Sequence, residues 1–142
     1  MWKYIEALFR QPQLTERQRT GVWGEQQARK HLAARGFKII GKRVRIGRRD
    51  EIDLVARDRT TLVFVEVKCR ASERYGRPMA AVDRAKRRRL ARAAVRYLQR
   101  HETQPASFRF DVVEVIGKRN QPQPAIRHIE NAFALPKWFR VV

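Results

Sequence analysis

The chain has 142 residues, enough for one domain with a single core, and its 43% hydrophobic content excludes a disordered polycation. Its 33 Lys and Arg against 14 Asp and Glu leave a net charge of +19, a field that attracts polyanions, and the common polyanions of the cytosol are nucleic acids. Cys69 is the only cysteine, which excludes an internal disulfide and suits a reducing compartment, and His31, His101 and His128 are scattered without zinc-site spacing.

Taken in order, MWKYIEALFR lacks the apolar core and cleavage site of a secretory signal, and no later run is long and apolar enough to suggest membrane insertion. The expected location is the cytoplasm, with no membrane partner. Trp2, Ile5 and Phe9 fall at helical spacing, so a short amphipathic helix is expected, ended by Pro12. It reads as a packing arm within residues 1–19, with partner contact as the alternative, ahead of a single domain over 20–142. A second helix is expected over 20–35, with Gly36 as its stop. Gly21, Glu25, Ala28 and Leu32 share one stripe of it. A glutamate on that stripe is either a first-turn acid favoured by the helix dipole or a functional group. Residues 37–46 read as a strand through Phe37, Ile39, Val44 and Ile46, and the alternation breaks near Ile40, so Gly41 marks a bulge. The turn that follows places Arg48 and Arg49 at the lip of whatever the next strands build.

Those strands are DEIDLVARDRTTLVFVEVKCR. The first, over 51–57, carries Asp53 between Ile52 and Leu54; a polar turn leads to the second, over 61–69. Strand alternation puts Leu62, Phe64, Glu66 and Lys68 on one face and Val63, Val65 and Val67 on the other. A run apolar on both faces reads as a central strand, yet this one holds a carboxylate and an ammonium, each costly to bury uncompensated. Pairing across the hairpin brings Asp53 near Glu66, where two carboxylates repel unless a cation lies between them. A divalent metal on carboxylate oxygens and a strand carbonyl meets that need, with the Val67 carbonyl as third ligand and Lys68 pointing at whatever the metal holds.

The loop after Cys69 holds Arg70, Arg74 and Arg77, which either meet substrate phosphates or face solvent. Pro78 introduces a helix to about position 100, with Val82, Lys86, Leu90, Ala94 and Tyr97 as its stripe. Lys86 interrupts that stripe, either snorkelling towards the acidic pocket or acting as an ordinary amphipathic lysine. Arg87, Arg88, Arg92 and their neighbours repel one another at three- and four-residue spacing, a cost that a bound polyanion relieves. FRFDVVEVI is a further strand, parallel to the one before the helix. Its Asp111 is either a catalytic acid or, the favoured reading, a strand-edge acid paired with an arginine. IRHIE is a last edge strand, and Phe133, Trp138 and Phe139 cap the core or offer a stacking surface.

Asp53 followed by Glu66-Val67-Lys68 resembles the D…ExK core of the restriction-endonuclease-like nucleases. GVWGEQQARKHLAARGFKII, DEIDLVARDRTTLVFVEVKCR and FRFDVVEV together resemble the YraN family of bacterial proteins, regarded as distant relatives of Holliday-junction resolvases. The family usually has Gly where this chain has Asp50. The resemblance implies an α/β, restriction-endonuclease-like fold, a mixed sheet of about five strands flanked by helices. It implies an endonuclease that hydrolyses phosphodiesters in nucleic acid, with DNA favoured over RNA and branched DNA among the candidates. Mg²⁺ or Mn²⁺ would sit on Asp53, Glu66 and the Val67 carbonyl. Glu25 would assist from the helix, and Lys68 would steady the water or the transition-state charge. Arg48, Arg49, Arg70, Arg74, Lys86, Arg87, Arg88 and Arg92 would hold the nucleic acid. Glu25, Asp53, Glu66 and Lys68 together leave two negative charges for a divalent ion. A homodimer would follow the resolvases. The alternative is a catalytically silent nucleic-acid-binding module of the same fold.

Overall fold

The run LVFVEVK lies at the middle of the sheet, as a strand covered on both faces must. The computed structural model describes residues 2–72, 83–101, 107–135 and 137. In chain order these form α1 (Trp2–Phe9), α2 (Glu16–Ala34), β1 (Lys38–Ile46), β2 (Asp50–Asp58), β3 (Thr61–Arg70), α3 (Arg84–Arg100), β4 (Ser107–Ile116) and β5 (Ala125–Phe133). The strands make one sheet in the order β1-β2-β3-β4-β5, with β3 and β4 parallel and the other neighbours antiparallel. This is the expected mixed α/β sheet flanked by helices.

Alternation along β3 divides the interior in two. Leu62 and Phe64 face α3 and join Leu90, Ala94, Tyr97, Phe110 and Val112. Val63 and Val65 face α2 and join Ala28, Leu32, Leu54, Val113 and Val115. Phe133 lies flat on Phe110, with ring centroids 4.7 Å apart, so it caps the α3-side core. Residues such as Leu54, Val63 and Val113 are fully buried, and truncating a side chain of this kind typically costs about 2–5 kcal/mol.

Local chemistry sets the element ends. The bulge falls between Ile39 and Gly41 as the broken alternation requires. The β2–β3 hairpin turns through Arg59 and Thr60 with Asp58 opposite Thr61, and Arg59 takes a positive φ of 56°. Gly36 follows α2 at φ 89°, a conformation that costs glycine little.

One expectation is corrected. Helix α2 starts at Glu16 rather than at position 20, because Thr15 and Gln18 form a capping box: each side chain takes the other's backbone N–H. Helix α1 forms as expected, with Trp2, Tyr4 and Leu8 80%, 80% and 82% exposed. Residues 10–14, which join it to α2, are irregular. Pro78, Val82, Arg74, Trp138 and Phe139 lie outside the described residues; α3 as described starts at Arg84, capped by Asp83.

Candidate active site

The β2–β3 ladder runs from Asp58 opposite Thr61 to Leu54 opposite Val65, and stops there. Its next rung would set Asp53 against Glu66. Instead the alternation slips: Ile52 belongs to the α3-side core while Leu54 belongs to the α2-side core. The Asp53 carboxylate takes up the parted rung and accepts the Val67 N–H at 2.9 Å. This anchor satisfies a backbone donor and fixes the acid beside β3.

Asp53 and Glu66 meet there. Burial first, then the charge of Glu66, pushes the Asp53 carboxyl from 3.8 up to about 7; Glu25 adds to the push and the Val67 N–H opposes it. Two acids in one recess hold a proton that neither would hold alone. Glu66 is 6% exposed. Its Oε1 bonds the Lys86 ammonium, which comes across from α3, and lies 3.6 Å from Lys68 Nζ. Burial and the adjacent Lys86 hold Lys68 below the usual lysine range. Burial works against the charge of Lys86 too, but its bonds to Glu66 and Lys68 outweigh that and raise it.

Glu25 approaches from the α2 side. The early start of α2 makes it a mid-helix residue, which removes the first-turn dipole explanation for an acid on this stripe. Its carboxylate accepts from Arg43 Nε at 2.7 Å. Arg43 sits at φ 46° on β1 and also feels Glu51 and Asp53. The preceding residue, Gly24, lets α2 close onto β3: a Cβ there would stand 2.0 Å from Cys69 Sγ. The Cys69 thiol points at the Thr20 carbonyl, 3.7 Å away, and burial pushes it up in pKa.

The charge count of the site therefore changes. Glu25 and Glu66 meet Arg43 and Lys86 in addition to Lys68, so two cations beyond the expected lysine share the site. The donor chemistry still suits a hard divalent ion, because Asp53 and Glu66 share a site that wants positive charge between them. Among the described residues, no group of three His, Cys, Asp or Glu side chains stands assembled as a metal cage. Two of the three carboxylates here are turned onto cations instead.

Over this part of the fold the sequence has close relatives. The family pattern described as "Uncharacterised protein family UPF0102" matches residues 24–115, from α2 to the end of β4. The chain belongs to this family. It is 50% identical to UPF0102 protein STH1475 of Symbiobacterium thermophilum over 119 residues, covering 81% of this chain and 96% of the relative. A UPF0102 protein of Desulfosudis oleivorans is 42% identical over 84% of this chain and 94% of its own length. One from Alkalilimnicola ehrlichii is 48% identical over 72% and 81%.

In this UPF0102 chain the cleft above Asp53 and Glu66 has a volume of about 240 Å³ and is also lined by Arg49, Asp50, Lys86 and Arg89. The expected nucleic-acid contacts are spread more widely. Arg48 and Arg49 are exposed in the β1–β2 turn, and Arg87 and Arg88 on α3. Arg87 reaches over the Phe133 ring, 5.8 Å from its centroid. Arg92 forks onto Asp50 with two bonds of 3.0 Å, so its guanidinium serves a buried carboxylate. Arg70 lines a different cleft, with Glu16, Thr20, Cys69 and Arg119. Arg74 lies outside the described residues. Asp111 is paired as expected, with Arg109 at 2.9 Å, but also with His128 at 2.7 Å.

Three neighbours of the site, Arg43, Arg89 and Glu114, are not among the expected site residues. Arg43 and Arg89 carried no signal beyond their charge. Glu114, 0% exposed, stands in register with Lys68 on one side and Arg127 on the other. An acid inside the apolar run VVEVI poses the same conflict as Glu66 in β3, so that signal was present.

Proposed function

We propose that this protein is a divalent-metal-dependent nuclease that hydrolyses phosphodiester bonds, in DNA rather than RNA, in the cytoplasm. The observation that carries the reading is the meeting of the Asp53 and Glu66 carboxylates on the central hairpin, with Lys68 one strand period from Glu66. Asp53, Glu66 and the Val67 carbonyl would hold Mg²⁺ or Mn²⁺. Bound there, such an ion supplies Lewis-acid polarisation of a phosphate oxygen and lowers the pKa of water.

The chain's own residues do the rest. The Val67 N–H fixes the Asp53 carboxylate, so the site is anchored before substrate arrives. Lys68 offers a positive group beside the reacting phosphate. Arg49 and Arg89 at the cleft, with Arg48, Arg87 and Arg88 outside it, hold the backbone electrostatically. None of these groups is arranged to read base edges, so selection acts on shape, with branched DNA among the candidates. A homodimer would present two such clefts to one substrate.

A second reading is a catalytically silent binding module. The pairing of Glu66 with Lys86 and of Glu25 with Arg43 favours it, because a site closed by its own cations needs no metal. Incubating the protein with duplex, single-stranded, flapped and four-way-junction DNA in Mg²⁺ or Mn²⁺ separates the two. Cleavage that EDTA abolishes supports the nuclease, whereas binding to these DNAs without cleavage of any supports the module.

A further inference from the structure

Glu66 meets two cations of different origin. Lys68 is beside it because strand alternation returns the chain to the same face two residues later. Lys86 comes from another element and is aimed. Its backbone N–H donates to Asp83 Oδ1 at 2.8 Å, so the cap that starts α3 also fixes Lys86 in the first helical turn. That is an unfavourable place for an ammonium, since the helix N-terminus is itself positive and the cap acid Asp83 is bonded to the backbone N–H of Lys86. Lys86 is also half-buried on a stripe that otherwise packs apolar residues. What compensates both costs is the bond from Nζ to Glu66 Oε1.

We propose that Lys86 is the resident counterion of the metal site: it holds Glu66 in the metal-free protein and must be displaced for a divalent ion to bind. This rests on the nuclease reading above. An ammonium and a divalent ion cannot share one carboxylate oxygen without strong repulsion, so each weakens the binding of the other. The displaced lysine stays in the cleft lined by Arg49 and Arg89, where it adds to the field that meets a substrate phosphate. A phosphate that draws Lys86 off Glu66 thereby strengthens metal binding, and substrate and metal load together.

The test is Mn²⁺ binding by titration calorimetry on the full chain, comparing wild type, Lys86→Met and Lys86→Arg, each verified as folded by its thermal melt. Lys86→Met should bind Mn²⁺ about fivefold or more tightly than wild type, and Lys86→Arg, which keeps the competing charge, within about twofold of it. Lys86→Gln replaces Lys86→Met if the latter does not fold, with the same expectation. Wild type that binds Mn²⁺ with the neutral variant no tighter overturns this inference and leaves the metal reading standing. Failure of both wild type and the neutral variant to bind Mn²⁺ overturns both.

Discussion

Replacing Asp53 by Asn tests the carboxylate contact without a substrate. In the folded, metal-free protein Asp53 keeps its proton up to about pH 7, whereas 3.8 is its ordinary value. A group whose pKa is raised by folding favours the folded state below its unfolded value, and loses that advantage as pH rises through the folded one. The gap of about three pH units amounts to about 4 kcal/mol at a pH above both values. Asn has the shape of the protonated acid: its oxygen can accept the Val67 N–H and its amide can donate to Glu66. Asp53→Asn should therefore be more stable than wild type at pH 8 by up to about 4 kcal/mol. The same linkage makes its advantage at pH 8 exceed that at pH 5 by about 2–3 kcal/mol. Urea denaturation of both proteins in EDTA at the two pH values measures this. An advantage that does not grow with pH, or a variant less stable than wild type at pH 8, refutes the argument that the two acids share a buried site.

Gly24→Ala should destabilise by about 1–3 kcal/mol, because its Cβ meets Cys69 Sγ. Adding Cys69→Ala should recover most of that loss, and a double-mutant cycle by thermal melt with no coupling would refute the contact. Arg92→Ala should cost about 1–3 kcal/mol by stranding the buried Asp50. Filter binding across a salt series should show the opposite ranking for DNA: replacing Arg87 and Arg88 lowers the salt slope by about 1–2, and replacing Arg92, already neutralised by Asp50, changes it less. At Asp111, burial is outweighed by bonds from His128, Arg109 and the Asn131 N–H, which hold the carboxyl below 3.8. Its contribution is present above 3.8 and lost as pH falls through the lowered value, so the difference between melts of wild type and Asp111→Asn should be constant from pH 7 to about 5 and shrink as pH falls below 3.8.

The centre of the fold was legible because it rests on short-range rules. Period-two alternation in LVFVEVK gave the central strand, its two covered faces and the shared side of Glu66 and Lys68. Hairpin arithmetic pointed Asp53 towards Glu66, although the ladder parts one rung earlier and the bond to the Val67 N–H completes the approach, and the broken alternation at Ile40 marked the Gly41 bulge. The early start of α2 is also written in the chain, since Thr15 and Gln18 have capping-box spacing. The ion pairs were not legible, because they join residues far apart in sequence. Nothing local foretells that Arg43 turns to Glu25 or that Arg92 reaches Asp50. Lys86 left a trace, as the one charge on the apolar stripe of α3, but only the packed structure names Glu66 as its partner.

The central claim is that Asp53 and Glu66 bracket a divalent ion, and the position of that ion is the most direct measurement of it. Crystals grown with Mn²⁺ and recorded at the manganese edge should show an anomalous peak about 2.0–2.3 Å from oxygens of both carboxylates, with the Lys86 ammonium moved off Glu66. An anomalous map empty at this point, with Lys86 still bonded to Glu66 under saturating Mn²⁺, would contradict the account.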